Sequence, residues 1–228
     1  MGITLGNYVF DETRTAVGEK YAEVGGREAR VIELRGVMEG LESAEQVEAA
    51  LDTILQAASD QGDEATLVLR PGRRLYVRRS AFTREVIQGG GAGRFLLVLE
   101  ARNPYEIAEM ETLVFWVFSG SDQTKYLSTA GNVYALPIIT VTSPAVMTRP
   151  AFGDGIRQIT YEGTVGINQE LVFDAVAGKV TLAGEDVTPY TTGLFPQVAP
   201  GGTVLTYTDN SATAPTVMAA VAYRDRWW

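Results

Sequence analysis

The sequence predicts a mainly β protein with one helix, divided into two domains. Three observations predict it. Runs rich in β-branched and aromatic residues recur between clusters of Gly, Pro, Asn and Asp, the composition of strands and turns. A single stretch, Ser43 to Ser59, switches from the two-residue period of strands to the period of a helix. A polar stretch from Ser119 to Asn132, SGSDQTKYLSTAGN, then interrupts the chain, and helical periodicity does not return beyond it. The domains are read as residues 1–120 and 133–228, with 121–132 as the linker.

In the first domain, Ile3, Leu5 and Tyr8 to Phe10 read as a short strand broken at Gly6-Asn7. A strand set follows from Lys20 to Met38 with Gly25-Gly26 as its turn. There Val31 and Glu33 alternate with Ile32 and Leu34, so one face is buried and the other solvated. The helix, residues 43–59, carries one apolar stripe at Val47, Ala50, Leu51, Ile54, Leu55 and Ala58, which should lie against a sheet. Ser43 and Gln46 fit a capping box, Glu42 and Glu45 favour the positive helix end, and Gly62 is placed to stop the helix. Strands follow at Ala65 to Leu69, Arg73 to Arg79, Ala81 to Ile87 and Arg94 to Ala101. Phe95 to Leu99 is apolar at every position, which predicts a central strand covered on both faces. After the break at Asn103-Pro104-Tyr105, Leu113 to Phe118 is a further strand.

The second domain reads as all-β. Its runs are Pro137 to Val141, Gln158 to Tyr161, Gly166 to Asn168, Leu171 to Asp174, Lys179 to Leu182, Thr203 to Thr208 and Thr216 to Tyr223. Their spacing is that of a β-sandwich. The last two, joined through Asp209-Asn210-Ser211, read as an antiparallel hairpin.

Composition narrows the chemistry. Among 228 residues, 46% hydrophobic and 21% charged, there is no cysteine and no histidine. Disulfides, thiolate catalysis and Cys-ligated metals are excluded, and so are Ser-His-Asp and Cys-His mechanisms. The net charge of −9 argues against a general binder of nucleic acid or anionic membranes. No apolar run approaches the roughly 18–20 residues that span a bilayer. The N-terminus lacks the basic-then-apolar pattern of a signal peptide, so synthesis and folding in a cytoplasm are expected.

The candidate sites have plain alternatives. Gly89-Gly90-Gly91-Ala92-Gly93 lacks the Lys-Ser/Thr and the helix that a phosphate loop requires, and reads as a hairpin loop. Arg70, Arg73, Arg74, Arg78, Arg79 and Arg84 crowd one short stretch. In an acidic chain they read as a solvated strand edge, or as an intersubunit face meeting a neighbour's carboxylates, ahead of an anion-binding patch. Asp154, Glu162, Glu170, Asp174, Glu185 and Asp186 match neither a glycosidase pair nor a Ca²⁺ loop and read as solvated carboxylates. Tyr207, Tyr223, Trp227 and Trp228 read as packing or protein contact rather than as sugar-stacking rings. No catalytic, metal-binding or cofactor-binding residue is expected, and no cofactor.

Several segments, taken in order, resemble a known family. Near the C-terminus stand Gly193-Leu194-Phe195-Pro196-Gln197-Val198-Ala199-Pro200-Gly201 and the ending Tyr223-Arg224-Asp225-Arg226-Trp227-Trp228. Before them come Asp174 and the hairpin Lys179-Val180-Thr181-Leu182-Ala183-Gly184. In the first half stand the helix, the apolar strand, Asn103-Pro104-Tyr105 and Gly131 to Thr140 with Pro137-Ile138-Ile139. Together they resemble the distal tail proteins of long-tailed bacteriophages, the siphophage tail component family. Where that family usually has Asn after the Pro-Gly turn, this chain has Gly202-Thr203.

The resemblance implies an N-terminal split β-barrel with its helix and a C-terminal galectin-like β-sandwich. It implies a structural protein of a virion tail tip, in a phage or a phage-derived particle such as a gene transfer agent, and not an enzyme. Six copies would form a ring joining the tail tube protein to the tail-tip hub or baseplate, and DNA would cross the lumen without sequence-specific binding. Arg73, Arg74, Arg78, Arg79, Trp227 and Trp228 are the candidate oligomer or partner contacts; no membrane insertion is expected. The rival readings are a carbohydrate-binding module contacting the host surface, for which no sugar site is identifiable, and a glycosidase working through two carboxylates.

Overall fold

A helix forms where the apolar stripe predicts it. In the computed structural model, which describes residues 2–24, 27–58, 64–87, 89, 91–211 and 216–228, α1 spans Ala44–Ala57. The Ser43 hydroxyl accepts from the Gln46 amide at 3.3 Å, and the Gln46 side chain reaches back to accept from Glu42 N–H at 2.9 Å. The capping box is therefore real, though its return bond lands one residue earlier than in the usual pattern. Val47, Leu51, Ile54 and Ala58 are buried. Gly62 and Gly25-Gly26, the expected helix stop and turn, lie outside the described residues.

The chain divides between Glu109 and Met110 into two units. The first contains β1 (Thr4–Leu5), β2 (Tyr8–Val9), β3 (Thr15–Val24), β4 (Arg27–Glu39), β5 (Ala65–Val68), β6 (Arg73–Val86), β7 (Ala92–Ala101) and β8 (Glu106–Ala108). The sheet runs β2-β1-β5-β6-β7-β4-β3 with β8 beside β6, all antiparallel, and curls into a half-barrel around α1. Its core joins the helix stripe to Leu5, Ile32, Leu34, Leu67, Leu75, Leu97 and Leu99. Two expectations need correction here. Arg73 to Arg79 and Ala81 to Ile87 form one strand, β6, whose register against β7 shifts between Arg79 and Ala81. Such a bulge bends a strand without ending it. β7 does lie inside the sheet, but only its helix-facing side is sealed: Phe95, Leu97 and Leu99 are buried, whereas Leu96 and Val98 are half-buried. An antiparallel sheet needs only one face covered.

The second unit holds β9 (Thr112–Ser119), β10 (Gln123–Leu127), β11 (Ile138–Thr142), β12 (Met147–Thr148), β13 (Ala151–Gly153), β14 (Gln158–Tyr161) and β15 (Thr164–Val165). It continues with β16 (Leu171–Asp174), β17 (Lys179–Leu182), β18 (Glu185–Asp186), β19 (Thr191–Gly193), β20 (Thr203–Thr208), β21 (Thr216–Tyr223) and β22 (Arg226–Trp227). One sheet runs β10-β20-β13-β14-β19 and the other β18-β17-β16-β11-β21-β9. Buried residues of both, including Phe152, Tyr207, Phe173 and Val221, form a single core, so the two sheets make a sandwich.

Three expectations fail in this unit, each for a local reason. Residues 121–132 are not a linker, because β10 pairs along its length with β20 and buries Leu127. The polar residues before it form a tight turn, with Gly120 and Asp122 at positive φ, and the unit boundary falls earlier, after Glu109. β20 and β21 do not form a hairpin. They belong to opposite sheets and point Leu205 and Tyr207, and Val217 and Val221, into the shared core. Gly166 to Asn168 is a turn, in which Gly166 N–H donates to the Gln169 side chain at 2.7 Å, and the strand β15 precedes it.

Candidate functional site

The arginine-rich stretch reads from the sequence as a solvated strand edge or an intersubunit face. In strand order β6 lies between β5 and β7, but its register with β5 covers only Leu75 to Val77, and Arg73 and Arg74 pair with β8. Among the described residues Arg78, Arg79 and Arg84 pair with β7 alone, so this part of β6 is an edge. Around them stands a charge cluster that the sequence reading missed. Arg30 of β4 shares a strand face with Ile32 and Leu34 and is 1% exposed. Its Nε donates to Glu19 Oε2 at 3.0 Å, its Nη2 to Glu106 Oε1 at 3.0 Å, and its Nη1 to the Pro104 carbonyl at 3.4 Å. Arg70 Nη2 lies 3.1 Å from Glu19 Oε1, and its other arm pairs with Glu106. Arg73 Nη1 stands 3.6 Å from Glu106 Oε2.

Burial alone would lower the Arg30 pKa, but the hydrogen bond it donates to Glu19 and the charges of Glu19 and Glu106 raise it above its ordinary value. The cluster thus holds three guanidinium groups against two carboxylates, drawn from β3, β4, β6, β8 and the turn before β6, and it fastens the segment that carries Glu106 onto the sheet. The other arginines are spread along β6. Arg74 donates to the Glu109 carbonyl at 2.5 Å, Arg78 lies 3.8 Å from Glu64, and Arg79 is exposed at the bulge. Arg84 ties β6 to the helix through Asp52 and through Glu48 at 3.4 Å. Arg70, Arg73, Arg78 and Arg84 therefore face carboxylates of their own chain. An open anion patch has no such internal partners.

Three carboxylates of the second unit, Asp154, Asp174 and Asp186, serve turns. Asp154 accepts from Ile156, Arg157 and Gln197 N–H at 2.8, 2.7 and 2.9 Å. Burial raises its pKa, but these donors outweigh burial and hold it below the usual carboxylate range. Glu162 is held low by the Thr192 hydroxyl and then by Arg149. Asp174 and Asp186 cap the turns that follow them. Among the described residues no group of three or more acidic side chains could hold a metal ion. No described helix is long and apolar enough to cross a membrane.

The aromatics separate into two kinds. Tyr207 and Tyr223 are buried in the sandwich, with hydroxyls donating to Asp209 Oδ2 at 3.1 Å and to the Ser128 carbonyl at 2.5 Å. Burial first, then the nearby carboxylates, pushes both phenols up. Trp227 is half-buried, its Nε1 donating to the Ala130 carbonyl at 3.2 Å, while Trp228 is 45% exposed and its amide meets Asn132 Oδ1 at 2.9 Å. The chain end thus lies along residues 130–134. Gly131 permits the approach, since a Cβ there would stand 2.3 Å from the Arg226 carbonyl.

The whole chain superposes on a solved structure of the Dit protein of phage SPP1, described as a paradigm of the hub adsorption apparatus in phages that infect Gram-positive hosts. The match covers 99% of this chain and 92% of that one, with a TM-score of 0.66 and 13% identity. This chain has the fold of SPP1 Dit. A chain of the phage P2 baseplate in its activated conformation with Ca aligns over 97% of this chain and 90% of that one, at 8% identity and a TM-score of 0.36, too low to establish a shared fold. No protein-family model matches the sequence. No curated protein matches it either.

Proposed function

We propose that the chain is a structural protein of a virion tail tip, a distal tail adaptor of a phage or of a phage-derived particle such as a gene transfer agent. The likeness to SPP1 Dit, which runs through both units and nearly the full length of both chains, carries the reading. The order of the sequence segments that resemble the distal tail family supports it independently. In this role six copies form a ring, the first unit continues the tail tube, and the second faces outward as a galectin-like platform. The partners are the tail tube protein and the tail-tip hub, and DNA crosses the lumen unread. A chain of net charge −9 suits a conduit that should not retain phosphates. The protein acts by assembly, without catalysis, cofactor or membrane insertion. Arg79, exposed at the β6 bulge, and Trp228, exposed at the chain end, are the best placed of the candidate contacts to meet a neighbour.

The test is co-expression with the products of the flanking genes, followed by light scattering and cryo-EM. Six-fold rings seated between tube and tip are expected. A chain that stays monomeric and never co-purifies with tails overturns the proposal. A monomer in dilute solution alone does not, because a ring can close only on the tube.

A further inference from the structure

β9 ends its sheet without the features that usually guard an edge. It pairs with β21 on one side, and among the described residues no strand pairs with it on the other. Its eight residues include no charge, no proline and no glycine, and its register with β21 runs unbroken over all eight. Edge strands of monomeric proteins usually carry such interruptions, because open N–H and C=O groups capture other strands.

The outward side chains reinforce the point. Trp116 and Phe118 face the sandwich core, which leaves Leu113, Phe115 and Val117 52%, 70% and 68% exposed. Beside them in register stand Met218, 48% exposed, with Ala220 and Ala222. Together they open on the order of 400 Å² of apolar surface, within the range of about 300–600 Å² for a monomer's largest patch, which is often functional. Of the whole chain 21% is charged, yet neither β9 nor β21 carries a charged residue.

Local charge selects the occupant. Two copies paired antiparallel through this edge would set the acidic residues at its ends against one another, which disfavours a second copy. A strand laid along the open edge gains main-chain hydrogen bonds as well as the apolar row. Acidic residues bracket that edge. Glu111 precedes it, in a long 3.7 Å pair with Arg224, and exposed Asp122 follows it.

We propose that β9 is a docking edge for an extended segment of another protein, uncharged and apolar at alternate positions, with Lys or Arg at its ends. This rests on β9 itself and not on the tail-tip reading. The probe is a fluorescein-labelled peptide, Lys-Thr-Val-Thr-Val-Thr-Val-Thr-Lys, followed by anisotropy and by amide hydrogen exchange of the full chain. Saturable binding with slowed exchange over Thr112–Ser119 is expected. Phe115→Glu should weaken binding at least tenfold, whereas Val204→Glu, at a comparably exposed position on β20, should leave it unchanged. A second arm needs no variant: the same peptide with Glu at both ends should bind at least tenfold more weakly. Absence of binding, protection confined to other strands, equal binding of the two peptides, or a β9-dependent dimer of the chain alone would each overturn the proposal.

Discussion

Arg30 is the residue on which the first unit most depends. It is buried, yet all of its partners are charged or polar, and two of them, Pro104 and Glu106, come more than 70 residues later in the sequence. Breaking a buried pair strands a charge, so Glu106→Gln and Arg30→Met should each destabilise the chain by about 3–5 kcal/mol. The double variant Arg30→Met/Glu106→Leu should recover part of that loss, and urea unfolding measures all three. Asp154 predicts a pH dependence. Its folded pKa is depressed, so its contribution is fully present above the ordinary aspartate value of about 3.9 and is lost as pH falls through the lower folded value. Thermal melts of the parent and Asp154→Asn should differ at pH 6 and converge towards pH 3. The face of Arg30 was legible in the sequence, since it alternates in step with Ile32 and Leu34. Its partner was not, because nothing local marks Glu106 as the carboxylate that would come to it from 76 residues away.

Elements with strong local signals were the ones that could be read. The helix has a complete stripe and a cap, and each acts within a few residues. Ser43→Ala removes the hydroxyl that caps α1 and should cost about 1 kcal/mol, measurable by denaturation. Gly193, in the stretch that resembles the distal tail family, has an equally local reason. Its φ is +96°, and a Cβ there would stand 2.0 Å from the Gln158 carbonyl. Gly193→Ala should therefore strain β19 against β14 and cost about 1–3 kcal/mol in a thermal melt, while a neighbouring Thr192→Ala costs less. Strand pairing was harder to read. β20 and β21 both alternate correctly, and alternation says which side of a strand is buried but not which sheet it joins. Polarity was also misread in β10, where an alternating polar strand with one buried leucine resembles a linker when only composition is weighed.

For the whole molecule, each unit owns a separate hydrophobic core, so residues 110–228 expressed alone should give a β-type circular dichroism spectrum and a cooperative melt. A broad, non-cooperative transition would show that this unit needs the rest of the chain. The mainly β class and the helix α1 were legible because they depend on periodicity and composition. The charge cluster and the open edge of β9 were not, because each arises from where distant segments meet or fail to meet. The cluster also sets an order of events during synthesis. Arg30 leaves the ribosome 76 residues ahead of Glu106, roughly 4–15 s at ordinary elongation rates. Through that interval Glu19 is already at hand for its guanidinium, but the pair with Glu106 can close only after β3 and β4 can pair. Contacts made last are absent from the folding transition state and act mainly on the escape rate from the folded state. Arg30 and Glu106 should thus govern how long a finished subunit survives more than how quickly it is made.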